Sequence, residues 1–394
     1  MNSPEIPAGN NRPRVSPLSI SQNRFLLDDG KIFIFRGVVY QIPSRRRAAV
    51  QPETSDHVDS TPKFRFAKRD ALNDDRYEAF ARDVALFEEL SINCLWIYLV
   101  APEVSHARCM ALLAEKGIYV FIGLWTPLQC INRMAPRESY NHDLLKRSYS
   151  VVNAFRGYSN VAGFVAADHV VNNVRSTVAA EVVMAVVRDV KCYMRVVADR
   201  MGGRVVPVGV ADAEWAAIES PSPAFYTAGS KQQQVDFYAF TNYQCWPSTA
   251  EDGRQKWRAL LGKLKAIGVP VVVSEYGNNS IEPRSFDETI QLYGDEMRAV
   301  VSGGFVYEFT QEANRYGLVV IEDGSAVKLP DFATLRAKLS EVKELLVDSE
   351  SIAPASNAGG VQDFPPTTSE WLAGSKPMPS PLPVEHYLDQ ETEQ

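Results

Sequence analysis

The side chain best placed to do chemistry is Glu275, in the stretch Pro270-Val271-Val272-Val273-Ser274-Glu275-Tyr276-Gly277. Three β-branched residues in a row are too short a run for a helix and predict a strand buried on both faces. The carboxylate then stands where a buried strand emerges into a loop. In a barrel of parallel strands, chemistry is done at that carboxyl end. An acid at a strand end is ordinarily a surface or salt-bridged group. Glu275 differs in its company, with Tyr276 beside it and a second strand ending in Tyr307-Glu308 about thirty residues on. A glutamate cutting a glycosidic bond also needs a second proton-handling group opposite it.

The elements that must position these groups follow from the hydrophobic pattern. Residues 23–40 predict a β-hairpin, Arg24-Phe25-Leu26-Leu27 and Ile32-Phe33-Ile34-Phe35 around the turn Asp28-Asp29-Gly30. From Phe35 onward eight short apolar strands alternate with helical stretches. After the first, the strands are 94–100, 118–124, 161–167, 205–210, 235–241, the one leading to Glu275, and 305–309. The intervening segments carry apolar residues at helical spacing, as in Phe80, Val84, Phe87 and Leu90. Strand–helix alternation at this length predicts an α/β fold, a (β/α)8 TIM barrel over residues 22–346. Residues 1–21 and the Pro-, Ser- and acid-rich 347–394 predict disordered tails, and the basic insertion 45–69 a mobile loop.

Bulk properties exclude several classes. The 394 residues carry a net charge of −7 with both signs interspersed, so there is no nucleic-acid footprint. No apolar stretch approaches the roughly 20 residues of a membrane span. Residues 1–21 lack the apolar core of a secretion signal, and the C-terminus lacks a lipid-anchor signal. Five cysteines at irregular spacing suit reduced thiols rather than a disulfide framework. The five histidines show no metal-ligand spacing, so neither metal nor other cofactor is expected.

Several stretches, in this order, resemble one family: Gly37-Val38-Val39-Tyr40-Gln41, His106-Ala107-Arg108-Cys109-Met110, Ile131-Asn132-Arg133, Ser274-Glu275-Tyr276-Gly277, and Ser302-Gly303-Gly304-Phe305-Val306-Tyr307-Glu308-Phe309 with Tyr316-Gly317-Leu318-Val319. The family is the fungal β-1,3-glucanosyltransferases of glycoside hydrolase family 72, and the likeness covers residues 18 to 345. The resemblance implies the same barrel and a retaining transfer between β-1,3-glucan chains of the cell wall. In such chemistry one carboxylate attacks the anomeric carbon while a second, about 5–5.5 Å away, protonates the leaving oxygen. It places the nucleophile at Glu275 and glucan-contacting side chains at Tyr40, Gln41, Tyr98, Tyr243 and Tyr307. Flat aromatic faces stack on sugar rings and leave hydroxyls for hydrogen bonds.

The chain departs from the family at the second carboxylate. The family's Gly-Asn-Glu-Val-Ile-Asn-Asp is matched by Ala167-Asp168-His169-Val170-Val171-Asn172-Asn173, with Asp168 in place of the asparagine and His169 in place of the acid/base. Adjacent strand residues point to opposite faces, which argues against Asp168 as a substitute acid. The family's strand-two arginine is Trp96, and an acid at the end of strand three is Gly123. Loss of that cation predicts an upward drift in the Glu275 pKa. Cys109 matches a family disulfide cysteine whose partner position is Phe80, and the cysteine after the nucleophile motif is Asn278. With the missing secretion signal, these losses lead to the expectation of a cytoplasmic protein. Three readings follow. The first is a catalytically impaired relative that still binds glucan or a related oligosaccharide. The second is an active enzyme with a substitute acid, and the third a scaffold for protein partners that binds no sugar.

Overall fold

The computed structural model describes residues 15–42, 70–247, 251–347, 362–376 and 378–392. Two short strands, β1 (Ser19–Ser21) and β2 (Arg24–Leu26), pair antiparallel ahead of β3 (Phe35–Val39). There follow α1 (Tyr77–Glu89), β4 (Cys94–Ile97), α2 (Ala107–Glu115), β5 (Tyr119–Gly123), α3 (Pro136–Ser139), α4 (His142–Phe155), β6 (Val161–Asp168) and α5 (Ala180–Met201). The second half runs β7 (Val208–Asp212), α6 (Glu214–Glu219), α7 (Ser222–Tyr226), β8 (Phe237–Thr241), α8 (Glu251–Ala266), β9 (Val271–Tyr276), α9 (Asp287–Tyr293), α10 (Asp295–Arg298) and β10 (Val301–Val306). A hairpin of β11 (Val319–Glu322) and β12 (Ser325–Lys328) precedes α11 (Pro330–Val347), and α12 (Val384–Thr392) comes last. Strands β3 to β10 close a parallel barrel in sequence order, with β10 beside β3. This is the eight-stranded (β/α)8 barrel that the alternation predicts.

Two cores account for the strand composition. Cys94 and Trp96 of β4 belong to the cluster inside the barrel, while Leu95 and Ile97 pack outward under the helices. That is the two-residue period of a strand buried on both sides. Phe25 of β2 plugs the floor, its ring 4.9 Å from Phe35 and 6.0 Å from both Phe121 and Phe237. The edge-on geometry of Phe25 on Phe35 and Phe121 sets the positive ring edge against a negative face.

Three expectations need correction. The hairpin over 23–40 forms only in short, through a Leu26–Ile32 bridge, a Leu27 N–H bond of 2.9 Å to the Lys31 carbonyl, a Gly30 N–H bond of 3.0 Å to the Leu27 carbonyl and a Phe33 N–H bond of 2.8 Å to the Phe25 carbonyl. Phe35 leaves it for the barrel, and the regular partner of β2 is β1, inside the stretch 1–21 expected to be disordered. Within the tail 347–394, the described residues 362–376 and 378–392 are also not structureless. Leu372 N–H donates to Thr177 Oγ1 at 2.9 Å and Gly374 N–H to Glu181 Oε1 at 2.7 Å, while Trp371 is buried against Phe225 at 5.2 Å. Tyr387 of α12 stacks on His142 at 5.0 Å and meets Tyr149 edge-on at 4.8 Å. A few large side chains anchor the segment, and a polar average composition hides them. The basic insertion 45–69 lies outside the described residues, as do 1–14 and 348–361. Among the described residues no helix is long and apolar enough to cross a membrane.

Candidate active-site cleft

Glu275 lies near the carboxyl end of β9, only 9% exposed, at a cleft of about 520 Å³. Gln41, Tyr98, Trp125, Asp168, His169 and Tyr307 line the same cleft. The Tyr98 hydroxyl donates to Glu275 Oε1, and the Tyr243 hydroxyl donates to Oε2 at 3.0 Å. Burial pushes the Glu275 carboxyl up from the usual range, and the positive charge of His169 and the two hydroxyl donors pull it partly back. The expected upward drift is therefore present, with burial as its main cause. Trp96 sits deeper inside the barrel, 5.3 Å from Phe121 and 5.2 Å from Phe305, and brings no cation to the cleft.

His169 follows the last residue of β6 in a left-handed conformation, φ 50°. The pairing of β6 with β7 shifts register between Val165 and Asp168. Together the shift and the reversed φ turn successive side chains toward one cavity, so Asp168 and His169 both line the cleft. The expectation that they point to opposite faces is corrected: strict alternation holds only while the strand stays regular. His169 Nδ1 lies 2.5 Å from Asp168 Oδ1, and its Nε2 lies 2.6 Å from Thr241 Oγ1. Thr241 pairs with Glu275 in the β8–β9 register. Burial lowers the imidazole pKa, but Asp168, Glu275 and Asp212 more than reverse this and raise it to about 9. The ring is an imidazolium at neutral pH, with Nε2–H donating to the threonine oxygen. Asp212, at the end of β7, accepts from the Ser222 hydroxyl and from the Tyr238 hydroxyl at 2.9 Å, and burial raises its pKa to about 7.

The five side chains matched to sugar contacts divide. Tyr98 and Tyr243 converge on Glu275, and Tyr307 lines the cleft with its ring 5.4 Å from Tyr316. Gln41 donates from Nε2 to Glu308 Oε2 at the cleft edge. Tyr40 also borders the cleft, with most of its side chain turned into the core. Its ring is buried among Phe80, Phe87 and Phe309, and its hydroxyl donates to Asp83 Oδ2 at 2.9 Å. It ties the end of β3 to α1 at the wall of the cleft. Glu308 is fully buried between Gln41 and Asn314, whose Nδ2 donates at 2.9 Å, so it braces the rim.

Three supporting residues escaped the sequence reading. Arg284 is buried and donates to Asp331 Oδ2 at 2.6 Å and to the carbonyls of Gly277, Tyr307 and Tyr316 at 3.1, 2.7 and 2.6 Å. It thereby fixes the loops that follow β9 and β10. Glu214 Oε1 accepts the backbone N–H groups of Tyr243, Gln244 and Cys245 at 3.2, 2.8 and 3.1 Å, which aims Tyr243. Trp125, two residues past the end of β5, was legible as an aromatic at a barrel strand's carboxyl end. Nothing local marks Arg284 or Glu214. Gly123 is constrained by its surroundings, since a Cβ there would stand 2.4 Å from the Tyr98 carbonyl oxygen. Among the described residues no cluster of three side chains could hold a metal ion.

Comparison with known proteins adds independent findings. The glucanosyltransferase model of glycoside hydrolase family 72 matches residues 8–343. A 1,3-beta-glucanosyltransferase of Arthroderma benhamiae is 34% identical over 357 residues, covering 91% of this chain and 61% of the relative. The 1,3-beta-glucanosyltransferase gel1 of Aspergillus fumigatus is 32% identical, covering 96% of this chain and 76% of its own. The chain thus spans less than two thirds of the length of the Arthroderma relative. Among solved structures, Saccharomyces cerevisiae Gas2p in complex with laminaritriose and laminaritetraose superimposes with a TM-score of 0.76 at 28% identity, covering 96% of this chain and 80% of that one.

Proposed function

Because the chain belongs to the glucanosyltransferases of glycoside hydrolase family 72, we propose that it holds a β-1,3-glucan chain in its cleft and has lost the proton transfer on which transglycosylation depends. The observation that carries this reading is the state of His169. Both ring nitrogens are engaged, Nδ1 by Asp168 at 2.5 Å and Nε2 by Thr241 at 2.6 Å. A general acid must bring its proton within hydrogen-bond reach of the leaving oxygen, which this ring does only by giving up Thr241. With its pKa raised to about 9, the imidazolium also gives up its proton reluctantly, and as a base it is present only in small fraction at neutral pH. The attacking carboxylate is better preserved, since Glu275 keeps two tyrosine donors. Loss of a positioned acid/base removes about 10²–10⁴-fold in rate. Sugar binding draws support from the aromatic lining of Tyr98, Trp125 and Tyr307 and from the laminari-oligosaccharides bound in the Gas2p structure.

One observation favours an active enzyme as the second reading. Asp168 faces the cleft with its Oδ2 unbonded, so a carboxyl group stands on the same side as Glu275. Incubation with a reduced laminari-oligosaccharide separates the two. No new chain lengths, together with saturable heat on titration of laminaripentaose, is the expected result. Transfer products that vanish in both Glu275→Gln and Asp168→Asn would establish the second reading. Absence of any binding heat would leave the protein-scaffold reading. We further propose a reducing compartment, because all five cysteines are free and Phe80 occupies the core at the matched partner position of Cys109. Fractionation of the tagged protein with secreted rather than cytosolic markers would refute that placement.

A further inference from the structure

A second cavity, of about 700 Å³, opens at the amino-terminal end of the barrel beneath β1 and β2, far along the strands from Glu275. Arg24, Lys31, Arg36 and Arg298 line it, and Asp29 is the one carboxylate among its described lining residues. That carboxylate is held by Lys31 at 3.2 Å, and Arg298 has Asp295 at 2.5 Å. Arg24 and Arg36 have no such partner among the described residues. Arg24 is 1% exposed, and its Nη2 donates to the Ala299 carbonyl at 2.5 Å. Its Nε and Nη1 are buried without any acceptor. Arg36 is half-buried, and its Nε donates to the Ser91 carbonyl at 3.2 Å.

Folded proteins pair the charges they bury, because a guanidinium stripped of water recovers its hydration only from acceptors and counter-charge. Here two guanidinium groups border one cavity in a chain whose net charge is −7, so the cluster is not the overflow of a basic protein. Burial draws the pKa of both below the usual arginine value, and no carboxylate contributes a compensating shift to either. The amino-terminal face of a barrel normally serves stability, a task that unpaired arginines do not help. We propose that this cavity binds a phosphate-bearing anion, with Arg24 and Arg36 as its charge partners. Arginine suits a phosphate group because its planar donors match tetrahedral oxygens. Ile32 and Phe33 add apolar wall. The volume accommodates an organic body beyond the phosphate itself, so both free phosphate and a sugar phosphate share the required chemistry. The inference does not depend on the glucan reading of the cleft.

Calorimetric titration of the full chain with inorganic phosphate and with glucose 6-phosphate, at ionic strength fixed with chloride, tests it. Saturable binding of at least one of them is expected. Arg36→Gln should weaken it by about threefold or more, and Arg24→Met by about tenfold or more. Arg36 is half-buried, so its variant keeps the test open if Arg24→Met fails to fold. Tighter binding of the sugar phosphate would indicate a ligand with an organic body, and equal binding the bare group; both support the site. No saturable heat with either probe would overturn the proposal. So would equal affinity in the wild type and the Arg36 variant.

Discussion

His169 carries a charge and contacts Asp168 and Thr241, which under the proposed reading hold it away from proton transfer. Its pKa of about 9 lies above the unperturbed value of 6.5, so the folded state binds the proton more tightly than the unfolded chain. The resulting stabilisation is complete below pH 6.5 and is lost as pH rises through 9. The ring signals in an NMR titration should therefore turn over near pH 9, and Asp168→Asn should lower that midpoint by about one unit or more. Glu275 moves stability in the same direction with pH, although here the charged form is the one that burial disfavours. Its raised carboxyl pKa means that ionisation in the folded state costs stability at neutral and alkaline pH and none well below its unfolded pKa. Glu275→Gln should thus stabilise the protein by about 0.5–2 kcal/mol at pH 8 and little at pH 4, read by urea denaturation at each pH. His169→Glu alone should leave transfer within about tenfold of background in the oligosaccharide assay, since Trp96 and Gly123 remain. Full recovery would refute the account of a cleft altered at several positions.

Among the elements, β6 decides what the cleft contains. Its register shift and the positive φ at His169 bring Asp168 round to the cleft side, which a regular strand end forbids. At β5 a neighbouring carbonyl imposes the identity of the terminal residue. With Tyr98 oxygen 2.4 Å from a Cβ, Gly123→Ala should cost about 1–3 kcal/mol in denaturant and weaken laminaripentaose binding, because Tyr98 must move and its hydroxyl holds Glu275. Arg284 links the ends of β9 and β10 through three carbonyls, so the rim that carries Tyr307 is fixed from below and not by its own loop.

On the scale of the molecule, the C-terminal segment is part of the folded body. Residues 362–376 and α12 cover α4, α5 and α7 through Trp371, Tyr387 and Leu388. Trp371 is 1% exposed, so Trp371→Ala should cost about 3–5 kcal/mol in urea denaturation. A loss below about 1 kcal/mol would mean that the segment is only laid on the surface. The barrel thus has a cleft at its carboxyl end, an arginine-lined cavity at the other, and a strap along its flank.

By itself the sequence determined the barrel, because strand and helix periodicity are local properties of neighbouring residues. It also carried the resemblance that sets Glu275 at the nucleophile position and His169 at the acid/base position, since residue identity needs no coordinates. It left the burial of Tyr40 open, since its aromatic type suits sugar stacking and core packing equally well. Only contacts with Phe80, Phe87 and Phe309, distant in the chain, set how much of its ring is buried. The tertiary structure alone decided the protonation of His169, which depends on Asp168, Glu275 and Asp212 arriving from three different strands. It alone decided the facing of Asp168, the anchoring of the tail and the isolation of Arg24. Each of these is an energy set by what lies across space, where charge and burial act without regard to sequence separation.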